Sequence, residues 1–216
     1  MNIPLDLFVD SAYNDSRGSG PYTVRFENLT VASNVGGQRT KFDFVGDSRS
    51  DLSVFRPRIL QSLWGYSYGH LWTTWRTASD IPVPADYDGD GRVDQAVYVR
   101  DGFWHINGSN QGYTVIHFGL QSDKPVVGDY DGDGKADQAV YRDGTWYLLQ
   151  STAGFAAFNR CIPTDIPAPA DYDGDGKTDA AVFRNGTWYL FQSTSGVSVG
   201  QFGLAGDKAL PSAYIP

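Results

Sequence analysis

The sequence predicts an all-β chain assembled from tandem four-stranded units, and three observations carry that expectation. Of 216 residues, 25 are Gly, 11 are Pro and 14% are aromatic, a mixture that favours short strands and tight turns over helices. No stretch carries the 3.6-residue apolar period or the caps of a helix. The chain also repeats itself. Asp86-Tyr87-Asp88-Gly89-Asp90-Gly91-Arg92-Val93-Asp94 recurs from Asp129 and again from Asp171, at spacings of 43 and 42 residues. A worn copy lies one period earlier, at Asp43-Phe44-Val45-Gly46-Asp47-Ser48-Arg49-Ser50-Asp51.

Within one unit the elements follow from local chemistry. Pro125-Val126-Val127-Gly128 leads into the acidic loop, and Gln138-Ala139-Val140-Tyr141-Arg142 after it reads as an apolar strand. Asp143-Gly144 belongs to the Asn-Gly class of hairpin turns. Thr145-Trp146-Tyr147-Leu148-Leu149-Gln150 is rich in strand-favouring residues, and a further stretch ends in Phe118-Gly119-Leu120 or Phe202-Gly203-Leu204. Four short strands in about 43 residues is the pattern of a β-propeller blade.

Dividing the 216 residues by the period gives five blades. Four of them span 38–80, 81–123, 124–165 and 166–207. The fifth is shared, with strands at 5–9, 22–26 and 29–32 in residues 1–37 and an innermost strand from 208–214. Pairing the two ends of the chain closes the ring and removes open sheet edges. The alternative is four blades with an N-terminal hairpin used for docking or oligomerisation.

The net charge is −8, yet Glu27 is the only Glu and 12 of the 24 Asp fall in the three intact loops. Without those twelve carboxylates the chain would carry +4. Acidity concentrated in loops suggests a bound cation. No basic stripe suits nucleic acid, and no apolar run approaches the roughly 18 residues of a membrane span, so neither nucleic-acid binding nor membrane insertion is expected. Cys161 is the only Cys, which excludes an internal disulfide and a thiolate zinc site. The start lacks the basic and apolar regions of a signal peptide, and Met1, the only Met, fits an initiator added to an excised domain.

The loops carry the chemistry. Carboxylates fall at positions 1, 3, 5 and 9: Asp86, Asp88, Asp90 and Asp94; Asp129, Asp131, Asp133 and Asp137; Asp171, Asp173, Asp175 and Asp179. Position 7, occupied by Arg92, Lys135 or Lys177, offers its backbone carbonyl. Oxygen ligands in that number suit a hard cation with a coordination number of six to eight, and Gly at positions 4 and 6 lets the backbone turn tightly around it. Ca²⁺ fits better than Mg²⁺, which prefers fewer carboxylates and keeps its waters. About three ions are expected. An EF-hand fails, because position 12 holds Val97, Val140 and Val182 where a bidentate Glu is needed, and the segment that follows reads as strand. In the worn copy Val45 replaces a ligand and Ser48 a glycine, so weak binding or none is expected there.

These tandem loops, each followed by an Ala-Val-(Tyr/Phe) strand, resemble FG-GAP/VCBS repeats, which include the calcium-binding blades of integrin α-subunit propellers. Phe118-Gly119 and Phe202-Gly203 look like the Phe-Gly of the name, whereas the Gly-Ala-Pro half is degenerate and the unit is short for the integrin version. The resemblance covers residues 38–212. It implies an extracellular or cell-surface propeller with Ca²⁺ in loops between inner strands, serving adhesion or ligand recognition, and not an enzyme.

Other constellations carry less. Gly65-Tyr66-Ser67-Tyr68-Gly69 matches a nucleophile-elbow pattern, but no helix follows and its place in the repeat is a strand. His70, His105 and His117 match neither metal-ligand nor acid–base spacing. Three Asn-x-Ser/Thr triplets, at Asn28, Asn107 and Asn185, are weak evidence for glycosylation, and Asn185, which aligns with Asp143 and Asp101, is better explained by turn chemistry. Trp64 reads as the packing tryptophan of its unit, matching Trp104, Trp146 and Trp188, while Tyr66, Tyr68 and Trp72 are candidates for contact with a protein or glycan ligand. The function expected is non-catalytic recognition. The alternatives are an attachment or assembly module of a larger secreted enzyme or surface fibre, or a glycan-binding lectin.

Overall fold

Fifteen short strands, all antiparallel to their neighbours, make up the secondary structure of the described residues, and no helix occurs among them. The structure is a computed structural model that describes residues 42–56, 62–66, 72–75 and 79–210. The chain divides into two units, Met1–Gly37 and Gln38–Pro216, and every described residue belongs to the second. The expected strands at 5–9, 22–26 and 29–32 therefore lie outside the described residues.

Three four-stranded sheets follow one another, each a meander in sequence order. The first holds β4 (Ile81–Pro82), β5 (Gln95–Val99), β6 (Phe103–Gly108) and β7 (Gly112–His117). The second holds β8 (Lys124–Pro125), β9 (Gln138–Arg142), β10 (Thr145–Gln150) and β11 (Gly154–Asn159). The third holds β12 (Ile166–Pro167), β13 (Ala180–Arg184), β14 (Thr187–Gln192) and β15 (Gly196–Gln201). Ahead of them, β1 (Ser53–Arg56), β2 (Ser62–Tyr66) and β3 (Trp72–Trp75) form a three-stranded sheet. No strand runs through 208–210. Lys124–Pro125 and Ile166–Pro167, the segments equivalent to it, are each held by the strand that follows them, and no described strand follows 208–210.

The second strand of each sheet forms the core. β5, β9 and β13 are buried at their first four residues, on both faces, which is why Ala-Val-(Tyr/Phe) runs replace the alternation of a half-exposed strand. One sheet packs its tryptophan face on the next: Trp104 and Tyr98 share a cluster with Val140 and Tyr147, and Trp146 and Tyr141 share one with Val182, Tyr189 and Phe191. Trp104 and Trp146 are fully buried. Trp188, their counterpart in the last sheet, is half-buried beside Ala168, Phe183 and Ala209.

Register also accounts for the two spacings. Asp143-Gly144 is a two-residue turn with both residues at positive φ, as is Asn185-Gly186. β5 and β6 are joined instead by three residues, Arg100 to Gly102, the extra residue that makes one period 43 rather than 42. Trp64 pairs with Phe55 as Trp104 pairs with Tyr98, so it holds the tryptophan position of its sheet.

Gly144 is fixed twice over, by φ of +84° and by the Cys161 carbonyl, which would lie 2.3 Å from any Cβ. Gly154 has a similar φ of +81° and open space around it. Gly154→Ala therefore isolates the conformational cost, about 1–3 kcal/mol, and Gly144→Ala adds a backbone clash to it. Urea unfolding of both variants should rank Gly144→Ala as clearly the less stable; equal midpoints would contradict the close approach.

Candidate metal centres

Each acidic loop joins the first and second strands of its sheet. It is closed at the base by a bridge from position 9 to the residue before the loop: Ala85 to Asp94, Gly128 to Asp137, Ala170 to Asp179. Inside the loop the carboxylates hold the backbone. Asp86 accepts from the Gly89 and Gly91 N–H at 2.7 and 2.8 Å, Asp94 Oδ2 from the Tyr87 N–H at 2.8 Å, and Asp90 Oδ1 from the Arg92 N–H at 2.9 Å. The same bonds recur in the loops that begin at Asp129 and Asp171. The glycines at positions 4 and 6 all have positive φ, which presents these N–H groups inward. The position 2 tyrosines turn back over the entering strand: Tyr87, Tyr130 and Tyr172 donate their hydroxyls to the Val83, Val126 and Ala168 carbonyls.

A second set of bonds fastens the loop to the turn between the third and fourth strands of the same sheet. The Ser109 N–H donates to Asp94 Oδ1 at 2.7 Å, its hydroxyl to Asp90 Oδ2 at 2.6 Å, and the Asn110 and Gln111 N–H groups both donate to Asp88 Oδ2. Ser151, Thr152 and Ala153 repeat the arrangement on Asp137, Asp133 and Asp131, and Ser193, Thr194 and Ser195 repeat it on Asp179, Asp175 and Asp173. Sequence reasoning missed these serines. Their signal was present, since Ser109, Ser151 and Ser193 recur every 42 residues and each precedes a glycine by three residues.

Carboxylate oxygens converge in all three places. Asp86, Asp88 and Asp90; Asp129, Asp131 and Asp137; and Asp171, Asp173 and Asp179 each offer oxygens within 4.8 Å of one another, so each cluster could hold a metal ion. Asp88 is only 8% exposed, and its Oδ1 is buried with no hydrogen-bond donor; Asp173 Oδ1 is in the same condition. An unpartnered anionic oxygen in such a position is costly unless a cation meets it. Arg92, Lys135 and Lys177 use their N–H on position 5.

Burial pushes the Asp94 and Asp137 carboxyls up to about 6, helped by the like charges at positions 1 and 3 and opposed by the N–H groups they accept. Exposed Asp175 goes the other way, to about 2, because Ser193, Thr194 and the Lys177 N–H donate to it.

Tyr68, Ser67 and His70 are outside the described residues, and Tyr66 and Trp72 are described only as backbone in β2 and β3. His105 Nδ1 pairs with the Tyr113 hydroxyl at 2.5 Å, and His117 stacks on Phe103 with centroids 4.4 Å apart. No protein-family model matches the chain, and neither the curated proteins nor the solved structures gave a match. The resemblance to FG-GAP/VCBS repeats therefore rests on the loop motifs themselves.

A folded pKa of about 6 against an ordinary 3.8 contributes stability below about pH 4 that is lost as pH rises through 6. Asp175 has the opposite sign, but its contribution is complete once pH exceeds the ordinary value of 3.8. The metal-stripped protein should therefore lose thermal stability between about pH 4 and pH 6. A midpoint that climbs over that interval would count against the strained carboxylates.

Proposed function

We propose that the chain is a calcium-binding β-propeller that serves extracellular recognition or adhesion without catalysis. The observation that carries the metal is the buried, donor-free Asp88 Oδ1 inside the cluster of Asp86, Asp88 and Asp90, with carboxylates at positions 1, 3 and 9 clustered in the equivalent loops of two further sheets. All-oxygen donors of high charge favour Ca²⁺. The propeller reading is supported by sheets that stack in series, tryptophan face on the next sheet's second strand, each with its acidic loop at the same place in the meander. Closure of the ring is assigned to 1–37 and 208–214 on the sequence alone. Sites of this kind in extracellular modules fill at roughly 0.1–1 mM Ca²⁺, which matches an extracellular setting. In that reading the ion is structural, ordering glycine-rich loops that are entropically costly to fix. A recognition surface built on the sheets then keeps its shape only when calcium is present.

Thermal unfolding in excess chelator and then in about 2 mM Ca²⁺ tests the reading, alongside metal counting on the folded protein. A site held at tenfold its Kd contributes about 1.4 kcal/mol, so three should raise the midpoint by roughly 10 °C. An unmoved midpoint with no bound metal would leave the loops as hydrogen-bonded turns and end the proposal.

A further inference from the structure

We infer that the three acidic loops take up their cations as a coupled series, strongest at the loop of Asp86 and weakest at that of Asp171. This rests on the metal reading above, for which Asp88 Oδ1 is the independent sign of a ligand. Consecutive loops are bonded to each other directly. The N–H at position 8 donates to the backbone carbonyl at position 1 of the loop before: Val93 to Asp43 at 2.6 Å, Ala136 to Asp86 at 2.7 Å, and Thr178 to Asp129 at 2.6 Å. Each donor sits next to the position 9 carboxylate of its own loop. Each acceptor belongs to the residue whose carboxylate heads the previous one.

The side chains repeat the connection. A Cβ on Gly46, Gly89 or Gly132 would come within 2.6, 3.1 or 2.8 Å of Arg92, Lys135 or Lys177, so the position 7 side chain lies along the position 4 glycine of the loop before. A cation that orders one loop thereby fixes the donor or acceptor its neighbour uses. The neighbour's cation is then spared part of the ordering entropy, which is positive coupling without any shared ligand.

The ends of the series differ. Loop 43–51 lacks the position 3 carboxylate yet keeps its frame, with Asp43 accepting from the Gly46, Asp47 and Ser48 N–H groups, so it offers the Asp86 loop a fixed neighbour. Asp86 and Asp88 are buried, Asp129 and Asp131 half-buried, and Asp171 exposed. No described atom lies within 4 Å of a Cβ built on Gly174, where Gly89 and Gly132 meet the lysine of the next loop, so among the described residues no loop covers the last one.

The test is a CaCl₂ titration of the metal-stripped full chain, following the ¹⁵N-labelled amides of Gly91, Gly134 and Gly176, one per loop. The expected curves have Hill coefficients above one, with Gly176 responding last. Asp131→Asn removes the central charge and keeps an amide oxygen for the Thr152 and Ala153 N–H groups. It should raise the midpoints at Gly91 and Gly176 by at least about fivefold. Three simple hyperbolic curves in the wild type overturn the coupling even if the variant does not fold, as do variant midpoints within about twofold of the wild type. Either result, with three ions still bound, leaves the metal reading standing. Amides that do not move up to about 10 mM CaCl₂ end both.

Discussion

Carboxylates in each of three loops place oxygens within 4.8 Å of one another, and the rest of each sheet is arranged to make that tolerable. At about 4 Å, like charges repel by about 1 kcal/mol in water and about 4 kcal/mol at the effective dielectric of a protein surface. The chain offsets the cost with its own backbone. Positive-φ glycines turn N–H groups onto Asp86, Asp129 and Asp171, and the turn between the third and fourth strands sends three more N–H groups into the cluster from outside the loop. The acidic loop and the distant hairpin turn are thus one electrostatic unit, which fixes where the third and fourth strands must end. What the backbone does not neutralise in the loops of Asp86 and Asp171, a buried oxygen at position 3, is what a cation would take.

A second recurring device joins one sheet to the next at the other end of the strands. The Tyr98 hydroxyl donates to the Leu120 carbonyl, the Leu120 N–H donates to Asp123, and Asp123 receives the fork of Arg142, whose guanidinium lies over the Tyr147 ring. Tyr141, Ile162, Asp165, Arg184 and Tyr189 repeat it. The Asp side chains are fully buried, and a buried carboxylate is tolerable only with such bidentate, hydrogen-bonded pairing. In the last sheet Phe183 stands where Tyr98 and Tyr141 stood and has no hydroxyl to give. Asp207 still caps the Leu204 N–H, but the joint lacks its first bond, and Phe202 and Leu204 are 81% and 74% exposed beside it.

Much of this was legible in the residues. The strands at 138–142 and 145–150 and the turn between them follow from apolar runs and an Asp-Gly step, and they are β9 and β10 as read. The spacing named four carboxylates per loop, and three of each four cluster: positions 1, 3 and 5 in the loop of Asp86, and positions 1, 3 and 9 in those of Asp129 and Asp171, with Asp94, Asp133 and Asp175 left out. The serine turns were not read, because a Ser-x-x-Gly step has no meaning until register sets it opposite the acidic loop. Asp123 with Arg142 escaped for the same reason: 19 residues separate them in sequence, and only the pairing of Lys124 with Tyr141 makes them neighbours. Local chemistry was readable one strand at a time, whereas bonds between strands needed the register.

Loop 43–51 separates holding the loop from holding the ion. It keeps Asp43, Asp47 and Asp51, and these accept the frame bonds their counterparts accept, from positions 4 and 6, position 7 and position 2. It lacks the position 3 carboxylate, replaced by Val45. Its sheet is also shorter at the matching place: six residues separate the paired Gly65 and Trp72, where nine separate the equivalent His105 and Val115. The three missing residues are as many as Ser109 to Gln111, the turn that supplies N–H groups to position 3 elsewhere. The two losses occur in the same unit, so in this chain the position 3 carboxylate goes together with the longer connection. Carboxylates at positions 1, 5 and 9 are therefore common to all four loops, whereas a position 3 aspartate bonded to a serine turn accompanies the three loops whose carboxylates cluster.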